Sequence, residues 1–431
     1  MIKKFLFLSA SFFLLPALHA SEAAASTISA GDTAWIITAA ALVMLMTPGL
    51  AFFYGGLVRK KNILGVLMQC MAALAIISIQ WVAFGYSLAF SEGNGFIGSL
   101  SWAGLNGIGM EPSPYAPGIP HIVFVAFQMM FAVITPALIA GAFAERMKFS
   151  AYVIFILLWS TLVYDPLCHW VWGKGGWLAE MGALDFAGGI VVHISAGMAA
   201  LVTALYIGKR KNGGSAPTPH NLPFTVLGGA LLWFGWFGFN AGSALAANGV
   251  AGNAFMTTNT AAAAAAITWA ILDVIFSGRP TMLGTITGAV AGLATVTPAA
   301  GFITPAGAVI IGVSTAGLCY LVVAFIKPKL KFDDTLDAFG VHGVGGLFGT
   351  IMAGVLAVPH INGASGLIAG NPGQVVTQLI AAGASTVYVV IATFIILKVT
   401  DLLVGVRAPD KNEVIGLDLA EHNERAYTLV D

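Results

Sequence analysis

Two histidines sit in nearly matching apolar surroundings. His193 ends the run Asp185-Phe186-Ala187-Gly188-Gly189-Ile190-Val191-Val192-His193, and His342 stands within Asp337-Ala338-Phe339-Gly340-Val341-His342-Gly343-Val344-Gly345-Gly346. A neutral imidazole accepts a hydrogen bond at one nitrogen and donates one at the other. A charged side chain at the centre of a bilayer costs about 2.5–3.5 kcal/mol on insertion scales, so intramembrane ionisable residues mark pathways more often than packing. A histidine pair with no acid or base at its own depth suits a small hydrogen-bonding molecule that is neutral or can become so.

Elements able to hold such residues must themselves be apolar. The chain of 431 residues is 58% hydrophobic and 9% charged, where a soluble domain carries about 25% charged residues. Most of it therefore belongs in a lipid bilayer, as an all-α polytopic membrane protein. Basic and acidic side chains balance, which leaves no electrostatic footprint for nucleic acid. Cys70, Cys168 and Cys319 fall in or near apolar stretches without ligand-like spacing and read as packing residues. Lys3 and Lys4, the apolar run Phe5 to Leu15, Pro16 and small residues to Ala20 read as a secretory signal peptide over 1–20. An uncleaved first helix is the alternative, but the run is short and Pro16 interrupts it. Cleavage leaves the mature N-terminus outside the cytoplasm, most simply at a bacterial inner membrane.

Eleven stretches of spanning length follow, near 33–56, 63–90, 120–143, 149–171, 186–208, 222–246, 253–276, 281–299, 305–326, 338–357 and 375–399. With the N-terminus outside, sixteen of the nineteen basic residues fall on the cytoplasmic side, among them Arg59, Arg146, Arg210 and Arg407. Beyond the signal peptide, Lys174 alone falls outside. The positive-inside rule thus supports an N-out, C-in topology, with a membrane domain over 21–400 and a cytoplasmic tail over 401–431. His193 falls in the fifth span and His342 in the tenth. Five is odd, so two five-span halves, about 33–208 and 222–357, run oppositely through the membrane. Inverted repeats set their shared site near the midplane where the halves meet. On that reading the two imidazoles converge; a chance likeness between glycine-rich helices is the competing explanation.

The other ionisable residues narrow the chemistry. Asp165 and Asp185 fall near outer span ends, Asp273 and Asp337 near inner ones, and no Lys or Arg lies mid-span. Proton pumps and cation antiporters relay through membrane carboxylates, and a potassium filter needs a carbonyl-lined loop; neither is provided for. Two histidines without carboxylates or thiolates beside them suit a metal poorly, and no HExxH-type signature suggests an enzyme. Aromatic residues supply a complement. Phe127 and Phe131 share one face of span three, Trp172 closes the outer end of span four, and Trp236 and Phe239 lie in span six. An aromatic face holds a cation for about 0.5–2 kcal/mol, less than crossing hydrocarbon costs, so a cation collected there must lose its charge to proceed. Ammonium can, because it is a weak acid; potassium cannot. Plainer roles stay open: phenylalanines as packing, tryptophans as interface anchors, Ser243 as a helix–helix hydrogen bond, and Asp185 and Asp337 as helix N-caps.

Asp185–His193, Asp337–His342, Gly235-Trp236-Phe237-Gly238-Phe239-Asn240-Ala241-Gly242-Ser243, Ala126-Phe127-Gln128 and Phe53-Tyr54-Gly55-Gly56 together resemble the ammonium transporter (Amt/Mep/Rh) family, over almost the whole mature chain. The resemblance implies a homotrimer with one pore in each subunit. It implies that Trp172, Phe131 and Ser243 form an outer ammonium site, with Asp185 needed for recognition or for the integrity of that site. Phe131 and Phe239 match a stacked phenyl gate, Phe127 and Trp236 match aromatics of the vestibule and upper pore, and His193 and His342 match the twin pore histidines. Family members recruit ammonium, separate it from its proton and pass ammonia, and in several the proton also crosses. No cofactor is implied. The tail segment Gly416–Tyr427 matches too, with Asn423 where glycine is usual; asparagine tolerates a left-handed backbone. In bacterial relatives this face binds a PII-type signalling protein. A sensor signalling through the tail and a neutral-solute or gas channel are the competing functions.

Overall fold

The computed structural model describes residues 27–211, 219–330 and 332–427. The expected signal peptide, 1–20, and residues 212–218 of the Lys209–Asn221 loop lie outside them. Among the described residues the regular structure is helical, without a β-strand. Ten helices are long and apolar enough to cross a bilayer: α1 (Ala30–Leu57), α2 (Ile63–Phe90), α3 (His121–Phe143), α4 (Phe149–Glu180, bent at 173–176), α5 (Gly189–Ile207), α6 (Leu222–Ala241), α7 (Gly249–Ser277), α9 (Pro305–Leu330), α10 (Phe339–Leu356) and α11 (Gly373–Val404). Between α7 and α9 stands the shorter apolar helix α8 (Met282–Val296).

α8 stands at the eighth expected stretch and is shorter than that stretch. Its 15 residues rise about 22 Å, short of the ~30 Å hydrocarbon core. The remainder of the expected 281–299 span continues past Val296 as turns, and Ala299, Ala300 and Ile303 are fully buried there. Irregular backbone is tolerated at membrane depth only inside protein. Its polar groups are met by neighbours: Phe186 N–H donates to the Pro298 carbonyl (3.1 Å) and Val358 N–H to that of Phe302 (2.9 Å).

Local sequence accounts for the helix starts. Ser29, Asn221, Asn248, Thr281 and Thr304 each accept a backbone N–H from the first turn they precede, which satisfies one orphan donor of that helix. Large apolar side chains on α7 (Ile267, Ile271, Val274, Ile275) and α11 (Val387, Ile391, Ile395, Leu402) point outward and are exposed, as a lipid-facing surface requires.

Matched irregularities tie the two halves, α1–α5 and α6–α10. α4 and α9 each contain a π-helical turn (Ser160–Tyr164 and Val322–Ile326), and α5 and α10 each begin with one (Gly189–Ile194 and Phe339–Gly343). The halves meet where α5 crosses α10. A Cβ on Gly197 would lie 2.1 Å from Gly343 N, and one on Gly346 would lie 2.9 Å from the His193 Cβ and the Ile194 N. Gly197 is four residues after His193 and Gly346 four after His342. Each half thus supplies the glycine on which the other's histidine turn rests.

We call the face carrying residues 405–427 the tail face and its opposite the far face. Basic loops gather on the tail face. Glu145 accepts from Arg59 and Arg210, and Arg210 also pairs with Asp333. Burial works against the Asp333 carboxylate, yet hydrogen bonding and charge from Arg210 and charge from Arg146 hold its pKa down to about 2. The tail packs on these loops: Arg407 donates to the Lys209 carbonyl and to Glu413, Leu417 N–H to Asn62 Oδ1, and Gly65 N–H to Asp418 Oδ1. Asn423 adopts the left-handed conformation (φ 54°) that its side chain tolerates.

Candidate functional site

The α5 histidine is aimed by the carboxylate at the helix start. Asp185 accepts four backbone N–H groups, from Gly188 (2.8 Å) and Gly189 (2.6 Å) on Oδ1 and from Ile190 (2.7 Å) and Val191 (3.2 Å) on Oδ2. These are the orphan donors of the first turn, and they use both oxygens fully. Asp185 also borders the far-face cavity, so the backbone it caps is the edge of that cavity.

The α10 end corrects the expected repeat. Asp337 does not cap its helix; it has φ 59° and pairs with Lys327. Asp334 caps instead, accepting from Ala338 N–H (3.2 Å) and Phe339 N–H (2.8 Å). Asp334 precedes His342 by eight residues, as Asp185 precedes His193. In this gapless register Asp337 falls opposite Gly188, whose φ is 114°. Aligning Asp185 with Asp337 matched identities; the backbone matches positions.

The two imidazoles lie nearly parallel, ring centroids 5.2 Å apart at 18°, with Nδ1 of His342 3.2 Å from Nδ1 of His193. Two Nδ1 atoms bond only if one carries the proton and the other accepts. Two neutral rings arranged so offer one Nε2 that accepts and one that donates. His193 Nε2 is buried without a partner. Both rings border a narrow space walled by Leu50, Ile134, Val192, Trp236 and Phe239, with room for about one water-sized molecule.

Phe239 borders this space, and Phe131 packs against it with ring centroids 4.2 Å apart. Beyond them lies a cavity of about 350 Å³ bordered by Trp172, Asp185, Ser243, Gln128, Phe124 and Tyr115. Trp172 stands edge-on to Phe131 at 6.0 Å and donates its indole N–H to the Asp185 carbonyl (2.9 Å). Ser243 Oγ donates to the Phe239 carbonyl (2.9 Å), so its oxygen remains an acceptor. On the tail-face side His342 opens to a cavity of about 670 Å³ bordered by Asp273, Lys327 and Asp337 among others.

The two aromatics expected in the vestibule and upper pore stand in different surroundings. Phe127 borders neither cavity; it is fully buried, its ring where a Cβ on Gly242 would meet it (2.8 Å). Trp236 lies beneath the phenyl pair, stacked on His193 at 5.5 Å, its N–H bonded to Thr297 Oγ1 (2.9 Å). Asp165 is fully buried, two helical turns inside the Trp172 end of α4. Sequence reasoning passed over Gln128, Thr297, Asp334, Gly197 and Gly346. An ungapped alignment on the histidines was the available signal for the last three.

Comparison with known proteins agrees with this architecture. Residues 34–427 match the Ammonium Transporter Family. The chain is 53% identical to an ammonium transporter of Bacillus subtilis, over 92% of this chain and 98% of that one. It is 48% identical to the ammonium transporter Amt1 of Archaeoglobus fulgidus, over 93% and 100%. The crystal structure of Saccharomyces cerevisiae Mep2 superposes with a TM-score of 0.85 at 39% identity, covering 89% of this chain and 88% of that one. With sequence and fold in agreement along nearly its whole length, the chain belongs to the ammonium transporter family.

Proposed function

We propose that this protein takes up ammonium at its far face, removes a proton, and conducts ammonia past His193 and His342 to the tail face. The observation that carries the reading is the closed apolar space beside the two hydrogen-bonded imidazoles. No charged side chain borders it, so it offers an ion nothing in exchange for its hydration, whereas ammonia can donate to one Nε2 and accept from the other. Above it, Trp172, Phe131 and the Ser243 oxygen supply ring faces and an acceptor for a small cation. The Phe131–Phe239 pair is closed at 4.2 Å and must part for each passage. Asp185 acts through the backbone it caps, and the released proton follows a separate route or returns.

The basic loops and the docked tail on one face support an N-out, C-in orientation in a cell inner membrane, after removal of a signal peptide. We assign the assembly as a homotrimer with a pore in each subunit, and the tail face as the docking surface for a PII-type signalling protein. Similarity to a solved "Sensor Amt Protein", at 29% identity and a TM-score of 0.84, together with the tail's bonds to Asn62, Gly65 and Lys209, keeps a sensing role as the second reading.

The test is electrical. The purified protein in vesicles is exposed to pulses of ammonium or potassium, as wild type and as the His193→Ala/His342→Ala double variant, with ammonia uptake followed by internal pH. Uptake with ammonium and none with potassium is expected of the wild type, and the double variant should lose uptake or admit potassium. Equal responses to both ions in the wild type, or unchanged selectivity in the double variant, overturn the proposal.

A further inference from the structure

The path above makes no use of Asp165, the buried acid of α4. Its Oδ2 accepts a 2.6 Å hydrogen bond from Gln80 Nε2, which also reaches Thr161 Oγ1 at 3.3 Å. Asp165 Oδ1, Gln80 Oε1, Ser160 Oγ and Tyr164 OH are all buried without a partner. Asp165, Ser160 and Tyr164 are fully buried and Gln80 is 2% exposed.

No cation stands against this carboxyl. Among the described residues no Lys, Arg or His forms an ion pair with Asp165. Both ring nitrogens of His169, one turn further along, lie within hydrogen-bond distance of backbone carbonyls, those of Ala89 and Asn94, and a neutral ring donates to only one of them. The ionisable groups near enough to feel Asp165 are Tyr164 and Cys168 on its own helix and Tyr388 on α11, and Asp185 acts on the first two as well. An unpaired carboxylate in so dry a place is far more costly than a neutral acid. A proton on Asp165 also makes one of its oxygens a donor, facing a pair of helices that holds three unpartnered buried oxygens.

The location gives the group a task. Gln80 immediately precedes the π-helical turn of α2, Trp81–Gly85, and Asp165 immediately follows that of α4, Ser160–Tyr164. Trp81 and Tyr164 stand edge to face across the same seam at 6.2 Å. Each π turn rotates the helix beyond it, so the contact at the junction sets how the following segment points. In α4 that segment, Asp165–Trp172, ends in Trp172, seven residues on and therefore on the same face. Lys327 holds the matching place in the other half, directly after the π turn of α9, and there an ion pair with Asp337 fastens the helix beside an open cavity.

We propose that Asp165 is a proton-carrying positioning residue: a neutral carboxyl locked to Gln80 that fixes the rotation of the α4 segment bearing Trp172, and so tunes ammonium capture from outside the pore. This rests on the reading that Trp172 forms part of the recruitment site.

The test uses the full chain in vesicles, with Asp165→Asn, Asp165→Ala, Gln80→Ala and, as control, Trp172→Leu. Asp165→Ala and Gln80→Ala should raise half-saturating ammonium about fivefold with the maximal rate largely kept, and Asp165→Asn should stay within about twofold of wild type. In infrared spectra the C=O stretch of a protonated carboxyl should be present in wild type across neutral pH and absent from Asp165→Asn. Asp165→Asn behaving like Asp165→Ala, or no such band, means the group works as a charge and overturns the proposal. Unchanged half-saturation in both alanine variants overturns the positioning role. If Trp172→Leu leaves half-saturation unchanged, the recruitment reading fails with it, and the infrared band alone decides whether Asp165 holds a proton.

Discussion

The turns carrying His193 and His342 share a backbone and differ in chemistry. Both begin with an aspartate eight residues before the histidine, pass through a left-handed residue three positions later, and rest on a glycine from the other half. Yet Asp185 collects four N–H groups and Asp334 two. The left-handed residue is Gly188 in one and Asp337, paired with Lys327, in the other. One turn stands behind a closed phenyl pair and the other opens onto a wide cavity. Duplicated geometry brings the imidazoles together, and unequal side chains make the surroundings of the two turns differ.

The strongest way to break the symmetric part is at the crossing. Gly197→Ala sets a methyl 2.1 Å from a backbone nitrogen that cannot move without moving the His342 turn, so it should cost upward of about 3 kcal/mol, the upper end for overpacking. Gly346→Ala meets its first neighbours at 2.9 Å and should cost about 1–2 kcal/mol. Thermal unfolding in detergent ranks the two; equal losses would show that the crossing is looser than described. Next come the caps. Asp185→Asn replaces one acceptor oxygen by an N–H donor facing other donors, and should cost about 2 kcal/mol, roughly twice the cost of Asp334→Asn. Asp185→Asn should also slow uptake through His193, which the same assay tests.

Smaller effects sharpen the unequal part. Asp337→Gly relieves a left-handed aspartate, worth about 1 kcal/mol, while losing a partly exposed ion pair worth no more than about 1 kcal/mol. Stability should hardly change. The reverse exchange, Gly188→Ala, meets Val192 Cγ2 at 2.7 Å and should destabilise clearly. Least of all should be the response to acid. Arg210 joins Glu145 of one half to Asp333 of the other, and the Asp333 carboxyl is depressed to about 2. Its contribution is fully present above its unfolded value of about 3.9 and fades as pH falls toward 2. Tail docking, followed by protease access to residues 405–427, should therefore be constant down to about pH 5 and weaken only below it.

Much of this was legible before any coordinates. Apolar runs and basic loops mark the helices, because a bilayer admits little else, and two histidines in odd-numbered register announce inverted halves. α8 misled because its sequence stays apolar past Val296 while the chain turns inside protein, where apolar character no longer implies a span. Asp337 misled because identity was read in place of register. Asp165 reads as an outer-end residue, and its complete burial depends on how α2 packs on α4, which hydropathy does not show.

What the sequence alone determined is the membrane setting, the helix count to within one, the repeat and the identity of the two histidines, all of which follow from composition and spacing. Only the tertiary structure decided which carboxylates cap, which aromatics border the space beside the histidines and which acid is left dry, because those outcomes depend on where helices cross. Contacts between residues 149 positions apart, such as His193 and His342, are set by the shapes of glycine-lined surfaces, and no local pattern encodes the distance between two surfaces.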